Sequence, residues 1–143
     1  MPADETADRP SEALPVPISL TRRAGDFIFV SGLGDHYFTP EAVTFDADGR
    51  VLDDGAGMGP RPIEAQTRSV FRRIEAALAG HGCTLADVVD LTVWLSDPRD
   101  FVGFNDTYKA FFRSPYPARA VVRADFMFDA KVEVKAIAFK PRG

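Results

Sequence analysis

Two short runs near the C-terminus, residues 118–124 and 131–139, carry the charged side chains best placed to do chemistry. Both runs have the composition of strands, whose side chains alternate between two faces. One parity holds Arg119, Arg123, Glu133 and Lys135, interleaved with Val121, Ile137 and Phe139. An arginine and a glutamate on one face could bind a carboxylate and move a proton, or could pair with each other across an interface. The residues alone favour the ion pair, because a buried charge needs a partner.

The other parity of these runs is small and apolar, which suits a surface that lies under helices. Its members are Ala118, Ala120, Val122, Ala124, Val132, Val134, Ala136 and Ala138. Residues 88–96 divide in the same way, with Val89, Leu91, Val93 and Leu95 on the apolar side and Asp90, Thr92 and Trp94 opposite. Two helices can cover only one face of a small sheet. The large apolar groups left on the mixed face therefore predict a homo-oligomer packed through the sheet.

The spacing of apolar residues predicts two helices around these strands. The first places Ile63, Thr67, Val70, Phe71, Ile74, Ala77 and Leu78 on one side, after Pro62 and before Gly80. The second has Asp97 as its N-cap, Pro98 in its first turn and a buried stripe of Phe101, Phe104, Tyr108, Phe111 and Phe112. Earlier strands are predicted near 16–22 and at 27–30, followed by a hairpin flanked by 43–45 and 50–52. The order β-β-(β)-α-β-α-β-β predicts an α+β domain with both helices on one face of the sheet.

Length and charge limit what the chain can be. With 143 residues it is long enough for one domain. We expect a disordered tail at 1–13 and a single domain at 14–143, with an insert at about 35–62. The net charge of -4 argues against nucleic acid as the main partner. No apolar run approaches the roughly 18 residues of a membrane span. The single Cys83 fits a reducing cytosol, so a cytoplasmic location is expected.

No residue pattern indicates a metal or a cofactor. His36 and His81 have no further ligands at metal-binding spacing. Cys83 has no base nearby in the sequence, which disfavours it as a nucleophile. We therefore expect neither a metal site nor a bound cofactor.

Several segments occur in the order and spacing typical of one known family. They are residues 25–32 (GDFIFVSG), 63–68 (IEAQTR), 87–95 (DVVDLTVWL), 100–101 (DF), 105–112 (NDTYKAFF), 116–119 (YPAR) and 132–138 (VEVKAIA). Through them the chain resembles the RidA (YjgF) family of enamine/imine deaminases over roughly 17–140, the insert excepted. The resemblance implies a chorismate-mutase-like α+β fold and a homotrimer with three clefts between subunits. It also implies cofactor-free hydrolysis of reactive 2-imino or enamine acids to keto acids and ammonia.

The same resemblance implies roles for individual residues. Arg119 falls on the arginine that grips the substrate carboxylate, and Glu133 on the glutamate that positions or activates water. The backbone of Gly32 would line the cleft, and Asn105 falls on a family asparagine, although a structural amide is the commoner role for such a residue. Val121 stands where a cysteine is frequent, and only its backbone carbonyl would be needed. These roles suit the residue types, because a guanidinium offers a planar fork to a carboxylate and a glutamate can shuttle a proton.

The distance between the two charged residues depends on the strand register. If Met127 marks the centre of a hairpin, Val121 lies opposite Glu133 and Arg119 is diagonal to it, about 7–8 Å away. A small acid is long enough to bridge that gap.

Departures from the family pattern concern the ligand more than the fold. Ile18 stands where the family has a tyrosine, Leu33 where a polar residue is frequent, and residues 126–129 are bulky and apolar. We expect a larger or less polar ligand than iminopropanoate, such as an unsaturated amino acid from aromatic-ring catabolism. The start of the domain and its end resemble the 2-aminomuconate deaminase branch.

Two other functions compete with deamination. One is a non-enzymatic ligand-binding or proteostasis protein on the same scaffold, which Ile18 favours and the retained Arg119 and Glu133 oppose. The other is a ribonuclease or translation inhibitor, which the acidic balance disfavours.

Overall fold

A five-stranded mixed sheet organises the chain. The computed structural model describes residues 17–35, 44–45, 47, 51–53, 62–127 and 130–142, so the predicted tail and most of the insert lie outside the described residues. The sheet contains β1 (Thr21–Ala24), β2 (Phe27–Gly34), β5 (Val88–Leu95), β6 (Ala118–Arg123) and β7 (Val132–Phe139), in the order β1-β2-β7-β5-β6. Only β5 and β6 pair in parallel. The α+β class is confirmed.

The insert contributes a small hairpin. Its strands β3 (Thr44–Phe45) and β4 (Val51–Asp53) pair antiparallel, close to the predicted flanks. The first strand of the domain starts later than predicted, and Gly25 makes the turn into β2 with φ of 59°. That value is the left-handed region, which glycine adopts without steric cost.

The first helix, α1 (Ile63–Ala79), packs its predicted side against β2 and β7. All seven of the predicted apolar-face residues are buried, together with Gln66. The Gln66 side chain accepts a hydrogen bond from the Lys131 backbone N–H at 3.0 Å, which ties the helix to the start of β7. An aromatic cluster forms around Phe71, whose ring centroid lies 5.1–6.0 Å from those of four aromatic residues near the second helix.

The second helix begins later than its cap residue predicted. Asp97 accepts a hydrogen bond from the Arg99 backbone N–H, but it caps a 3-10 turn over Pro98–Asp100. The helix α2 then spans Phe101–Tyr108. Phe101 is 43% exposed, so its place in the predicted buried stripe is wrong, whereas Phe104, Tyr108 and Phe112 are buried. Val102, the next residue of this first turn, is 68% exposed as well.

The predicted faces are correct for β7 and nearly so for β5. Val132, Val134, Ala136 and Ala138 are all fully buried on the helix side. In β5 the apolar side includes Val88 in place of Val89, which is 43% exposed. The register with β7 shifts between Val88 and Asp90. Such a bulge moves the residues before it to the other face.

The predicted faces of β6 are reversed. Arg119 pairs with Leu91 and Val121 with Val93, both of which are buried on the helix side. Arg119 and Val121 therefore lie on the side of α2, while the small residues of β6 are exposed on the other side. Parity alone identifies two faces but not which of them the helices cover, and a long arginine stem can lie along an apolar surface.

The predicted β6–β7 hairpin is also wrong. β5 lies between the two strands, so Met127 marks no hairpin turn and Val121 does not face Glu133. The uncovered side of the sheet, which we call the open face, carries Phe29, Thr92, Trp94, Glu133, Lys135 and Ile137. Within the described ranges, neither helix has the length and apolar character that crossing a membrane requires.

Candidate functional site

Glu133 lies on the open face, where its carboxyl group contacts Gly32 on β2. Its neighbours across the sheet are Trp94 on β5 and Gly34 on β2. The register of β2 shifts between Val30 and Leu33, which brings Gly32 against the Glu133 carboxyl group. A Cβ placed on Gly32 would lie 2.6 Å from Glu133 Oε2. A side chain at residue 32 would therefore displace the Glu133 carboxyl group, although the backbone itself does not require glycine there because the φ of Gly32 is not positive.

The environment of Glu133 favours its neutral form. The residue is half-buried, and desolvation by that burial raises the pKa of its carboxyl group. No cation among the described residues forms an ion pair with it. A carboxyl group with a raised pKa and no fixed partner can accept a proton near neutral pH more readily than an ordinary surface glutamate.

Arg119 lies over a pair of aromatic rings on the opposite side of the sheet. Its Cζ atom is 4.7 Å from the centroid of Tyr108 and 5.7 Å from that of Phe104. The guanidinium is exposed and has no acidic partner among the described residues. Cation–π contacts of this kind hold the plane of the group while its donors stay free. Burial raises the pKa of Tyr108, an effect that the Arg119 charge opposes and Tyr116 reinforces.

A pocket of about 460 Å³ opens beside Arg119. Asn105, Lys109, Tyr116 and Pro117 line it together with the Tyr108 ring. Lys109 forms an exposed ion pair with Asp106 at 3.8 Å, which contributes little. The structure thus brings Arg119 and Asn105 together in a pocket with cationic side chains and aromatic walls.

Arg119 and Glu133 do not share a site within one chain. Their strands are separated by β5, and their β5 partners, Leu91 and Trp94, are three residues apart. Two strand spacings and three residue rises put their Cα atoms roughly 14 Å apart. Their side chains also leave the sheet on opposite faces. The predicted separation of one diagonal pair is therefore wrong.

Ile18 and Val121 belong to different halves of the candidate site. Ile18 is half-buried beside Ser31 on the open face, in a pocket of about 350 Å³. Val121 is half-buried on the helix side and packs against the core. The open-face half consequently contains Glu133, Gly32 and Ile18, and the helix-side half contains Arg119, Asn105 and Val121.

Comparisons with known proteins agree with this architecture. The sequence model of the family described as endoribonuclease L-PSP matches residues 17–140. A RutC family protein of Pyrococcus horikoshii is 32% identical over 125 residues, which cover 87% of each chain. The chain belongs to the RidA family.

Two further RidA-family comparisons concern a named activity and the fold. A protein of Dermatophagoides farinae named 2-iminobutanoate/2-iminopropanoate deaminase is 29% identical, over 85% of this chain and 84% of the relative. The crystal structure of RidA from the Antarctic bacterium Psychrobacter superposes with a TM-score of 0.71 at 26% identity, covering 97% of this chain and 99% of that one.

Sequence reasoning missed part of the site of this RidA-family chain. The sequence pattern identifies Tyr108 as a core residue and Tyr116 only as part of the segment 116–119, yet Tyr108 also supports Arg119 and both residues line its pocket. The sequence does contain a sign that both tyrosines lie near the site. Tyr108 comes one helical turn after Asn105, and Tyr116 precedes Arg119 by three residues. Arg22 and Lys135, which line the open-face pocket, were also not predicted as site residues.

Other potential chemical groups lie elsewhere in this RidA-family domain. Cys83 is buried, and desolvation followed by the Asp87 charge raises the pKa of its thiol, which makes a thiolate nucleophile unfavourable. Within the described part of the chain, no three His, Cys, Asp or Glu residues cluster as metal ligands would.

Proposed function

We propose that this chain hydrolyses reactive enamine or imine acids to keto acids and ammonia without a cofactor. The observation that carries the proposal is the state of the Glu133 carboxyl group. It is half-buried against Gly32, its pKa is raised, and no cation among the described residues forms an ion pair with it. Such a group suits a proton transfer step better than a structural ion pair, for which a partner would be expected. The imine deaminase name of a relative that aligns over most of the chain supports the same activity.

The chemistry assigns one task to each half of the site. Arg119 offers two parallel N–H donors to the α-carboxylate of the substrate, a geometry that lysine cannot reproduce. Glu133 orients a water molecule, which adds its oxygen to the imine carbon while a proton passes through the carboxylate to nitrogen. Cleavage of the carbon–nitrogen bond then releases ammonia and leaves the keto acid. No electron is transferred, so no redox partner is needed.

The two halves would meet between subunits of a homotrimer. Because Arg119 and Glu133 lie on opposite faces of the sheet in one chain, the complete site needs Arg119 from one copy and Glu133 from the next. The open face offers the surface for such packing. It exposes Phe27, Phe29, Val89 and Phe139 to between 38% and 43%. Contiguous apolar surface of this kind is typical of subunit interfaces.

The departures in this chain support a substrate other than the smallest imino acids. Ile18 gives the open-face pocket an apolar wall where a hydroxyl is expected, and the Arg119 pocket has aromatic walls. Both features suit a longer or unsaturated amino acid, as in the 2-aminomuconate deaminase branch. The acidic net charge of -4 disfavours RNA as substrate, although the matching family is described as an endoribonuclease. We further propose a cytoplasmic location.

A non-enzymatic binding protein is the second candidate. Ile18 favours it, because a missing cleft hydroxyl would weaken turnover more than ligand binding. In that case Arg119 would still hold a carboxylate, but Glu133 would have no step to catalyse.

The activity is tested by ammonia release. Imines are generated in the assay from a panel of amino acids by an amino acid oxidase, and 2-aminomuconate is assayed separately. The proposal expects faster ammonia release than the spontaneous reaction for at least one substrate. Rates equal to the spontaneous rate across the panel, with measurable binding of the matching keto acids, would favour the binding protein.

Light scattering tests the assembly. The expected mass is three times that of the 15.7 kDa chain. A stable, soluble monomer at micromolar concentration would contradict both the trimer and the site between subunits.

A further inference from the structure

A second group of cations lies on the open face near the proposed reaction centre. The open-face pocket combines the apolar side chains of Ile18 and Phe29 with Arg22, Lys135 and the hydroxyl-bearing Ser31. The proposed hydrolysis assigns no task to Arg22 or Lys135. Their position in one pocket therefore needs a separate explanation.

The register places these cations in line with Glu133. Lys135 follows Glu133 by two residues on the same face of β7, a distance of roughly 6–7 Å along the strand. Arg22 pairs directly with Phe29, and Phe29 pairs with Ile137, so all three side chains leave the same face of the sheet. Ser31 immediately precedes Gly32, which contacts the Glu133 carboxyl group. The pocket thus lies next to Glu133 and Gly32 along β7 and β2.

Among the described residues, no acidic side chain forms an ion pair with the two cations of this pocket. Arg22 and Lys135 are both exposed. Two neighbouring cations repel each other, and an anion between them converts that repulsion into attraction. Ile18 and Phe29 supply an apolar wall that suits a methylene or polyene chain.

We propose that the open-face pocket binds a second, distal carboxylate of the substrate, which would make the substrate a dicarboxylic imino or enamine acid. This inference rests on the proposed function for the position of the reacting carbon beside Glu133. A chain of about four carbon–carbon bonds and its terminal carboxylate span the distance from there to Lys135. Arg119 of a neighbouring subunit would hold the first carboxylate, and Arg22 with Lys135 the second.

The test compares two ligands that differ only at the distal end. The imines of 2-aminoadipate and 2-aminohexanoate have the same chain length, but only the first ends in a carboxylate. Their keto acids, 2-oxoadipate and 2-oxohexanoate, allow binding to be measured by calorimetry without turnover. We expect the intact protein to favour the diacid by roughly ten- to a hundredfold in affinity and in kcat/KM, the scale of a charged hydrogen bond.

Variants identify the residues responsible. Lys135→Met and Arg22→Gln remove a charge and should each move the diacid-to-monoacid ratio toward one. Lys135→Arg keeps the charge and should retain the preference. Lys140→Met removes a charge from the same end of the chain, where the residue pairs with Asp87, and should leave the ratio as in the intact protein.

The outcomes separate this inference from the proposed activity. Diacid preference in binding that disappears in Lys135→Met, without ammonia release from either imine, supports the distal site and rejects the deaminase. Equal affinity of the intact protein for the two keto acids overturns the distal site, even if both imines are hydrolysed. A preference that survives both charge-removing variants overturns it as well, and a changed mass in light scattering would then assign the cations to the subunit interface.

Discussion

Gly32→Ala tests whether the exact placement of the Glu133 carboxyl group matters. The added methyl group would lie 2.6 Å from Glu133 Oε2, whereas ordinary van der Waals contacts of a Cβ atom begin near 3.4 Å. The carboxyl group must therefore retreat by about 0.8 Å. Displacements of about 1 Å in an active site can reduce the rate roughly a hundredfold. We expect a loss of that size in kcat/KM, equivalent to about 2.7 kcal/mol of transition-state stabilisation.

The same substitution should change stability little. The atom that moves is the far end of a flexible side chain, so the cost is that of a rotamer adjustment, about 0.5–1.5 kcal/mol. Alanine also restricts the unfolded chain, which returns roughly 0.4–1 kcal/mol where φ is compatible. Gly32 meets that condition, because only Gly25 and Gly82 have positive φ among the glycines of the described ranges. The free energy of unfolding is therefore expected to stay within about 1 kcal/mol of the parent value.

The assay combines steady-state ammonia release with chemical denaturation. Gly103→Ala is the control, because its Cβ would also lie 2.6 Å from a glutamate oxygen, that of exposed Glu64 on α1, although it would lie 2.9 Å from Cγ2 of buried Ile63 as well. The control should keep its activity, since none of these residues contributes to the candidate site. A folded Gly32→Ala protein with unchanged kcat/KM would refute the reasoning, because it would show that the Glu133 position is not critical.

Further substitutions test the other roles. Arg119→Lys keeps the charge but loses the planar fork, so calorimetry should show carboxylate affinity reduced by about 1–3 kcal/mol with the assembly intact; unchanged affinity would reject the role. Glu133→Gln should lower turnover about a hundred- to ten-thousandfold with little change in affinity, and turnover equal to the parent would reject the mechanism. Because its pKa is raised and the charged form is required, the rate should fall as pH drops through a value above that of an ordinary glutamate; an acid limb at the ordinary value would contradict this. The same shift means that ionised Glu133 destabilises the fold above its folded pKa, so Glu133→Gln should be more stable than the parent at neutral pH, as measured by denaturation. Gln66→Leu leaves the Lys131 backbone N–H without its acceptor and should reduce the free energy of unfolding by about 1–3 kcal/mol.

The sequence was sufficient for features that one strand or helix determines alone. Alternation in β7 predicted that Val132 and Val134 are buried and that Glu133 lies on the other face. The spacing in α1 predicted its buried side. In both cases the apolar residues that recur with the period of the element are the ones that the core must bury, so the pattern allows only one orientation of the strand or helix.

Features that depend on pairing between strands were not predictable in this way. In β6, Arg119 carries the charge expected of an uncovered face, but its parallel partner on β5 places it, with Val121, on the side of α2. The aromatic surface formed by Tyr108 and Phe104 compensates for the charge of Arg119. Sequence neighbours often pair as hairpins, which led to the wrong β6–β7 register, because β5 inserts between the two strands.

The contact between Gly32 and Glu133 shows how family resemblance and structure contribute differently. The resemblance identified both residues as parts of one site. Only the register shift in β2 explains why a side chain at residue 32 would displace the Glu133 carboxyl group, since it brings the backbone against that group. Likewise, the resemblance implies Arg119 and Glu133 as residues of a cleft between subunits, and their opposite faces in the structure are the physical reason why we propose that they come from different chains.

Complementation between two inactive variants tests that central claim most directly. Arg119→Ala and Glu133→Gln chains carrying different tags are mixed as unfolded chains, refolded together and purified as species that contain both tags. If each site takes Arg119 from one subunit and Glu133 from the next, random mixing of equal amounts gives about a quarter of sites with both native residues. We predict that the refolded mixture releases ammonia at about a quarter of the parent rate before purification. The purified species that contain both tags should have a higher rate per chain than this mixture. Mixed oligomers as inactive as the two separate variants would contradict a site formed between subunits.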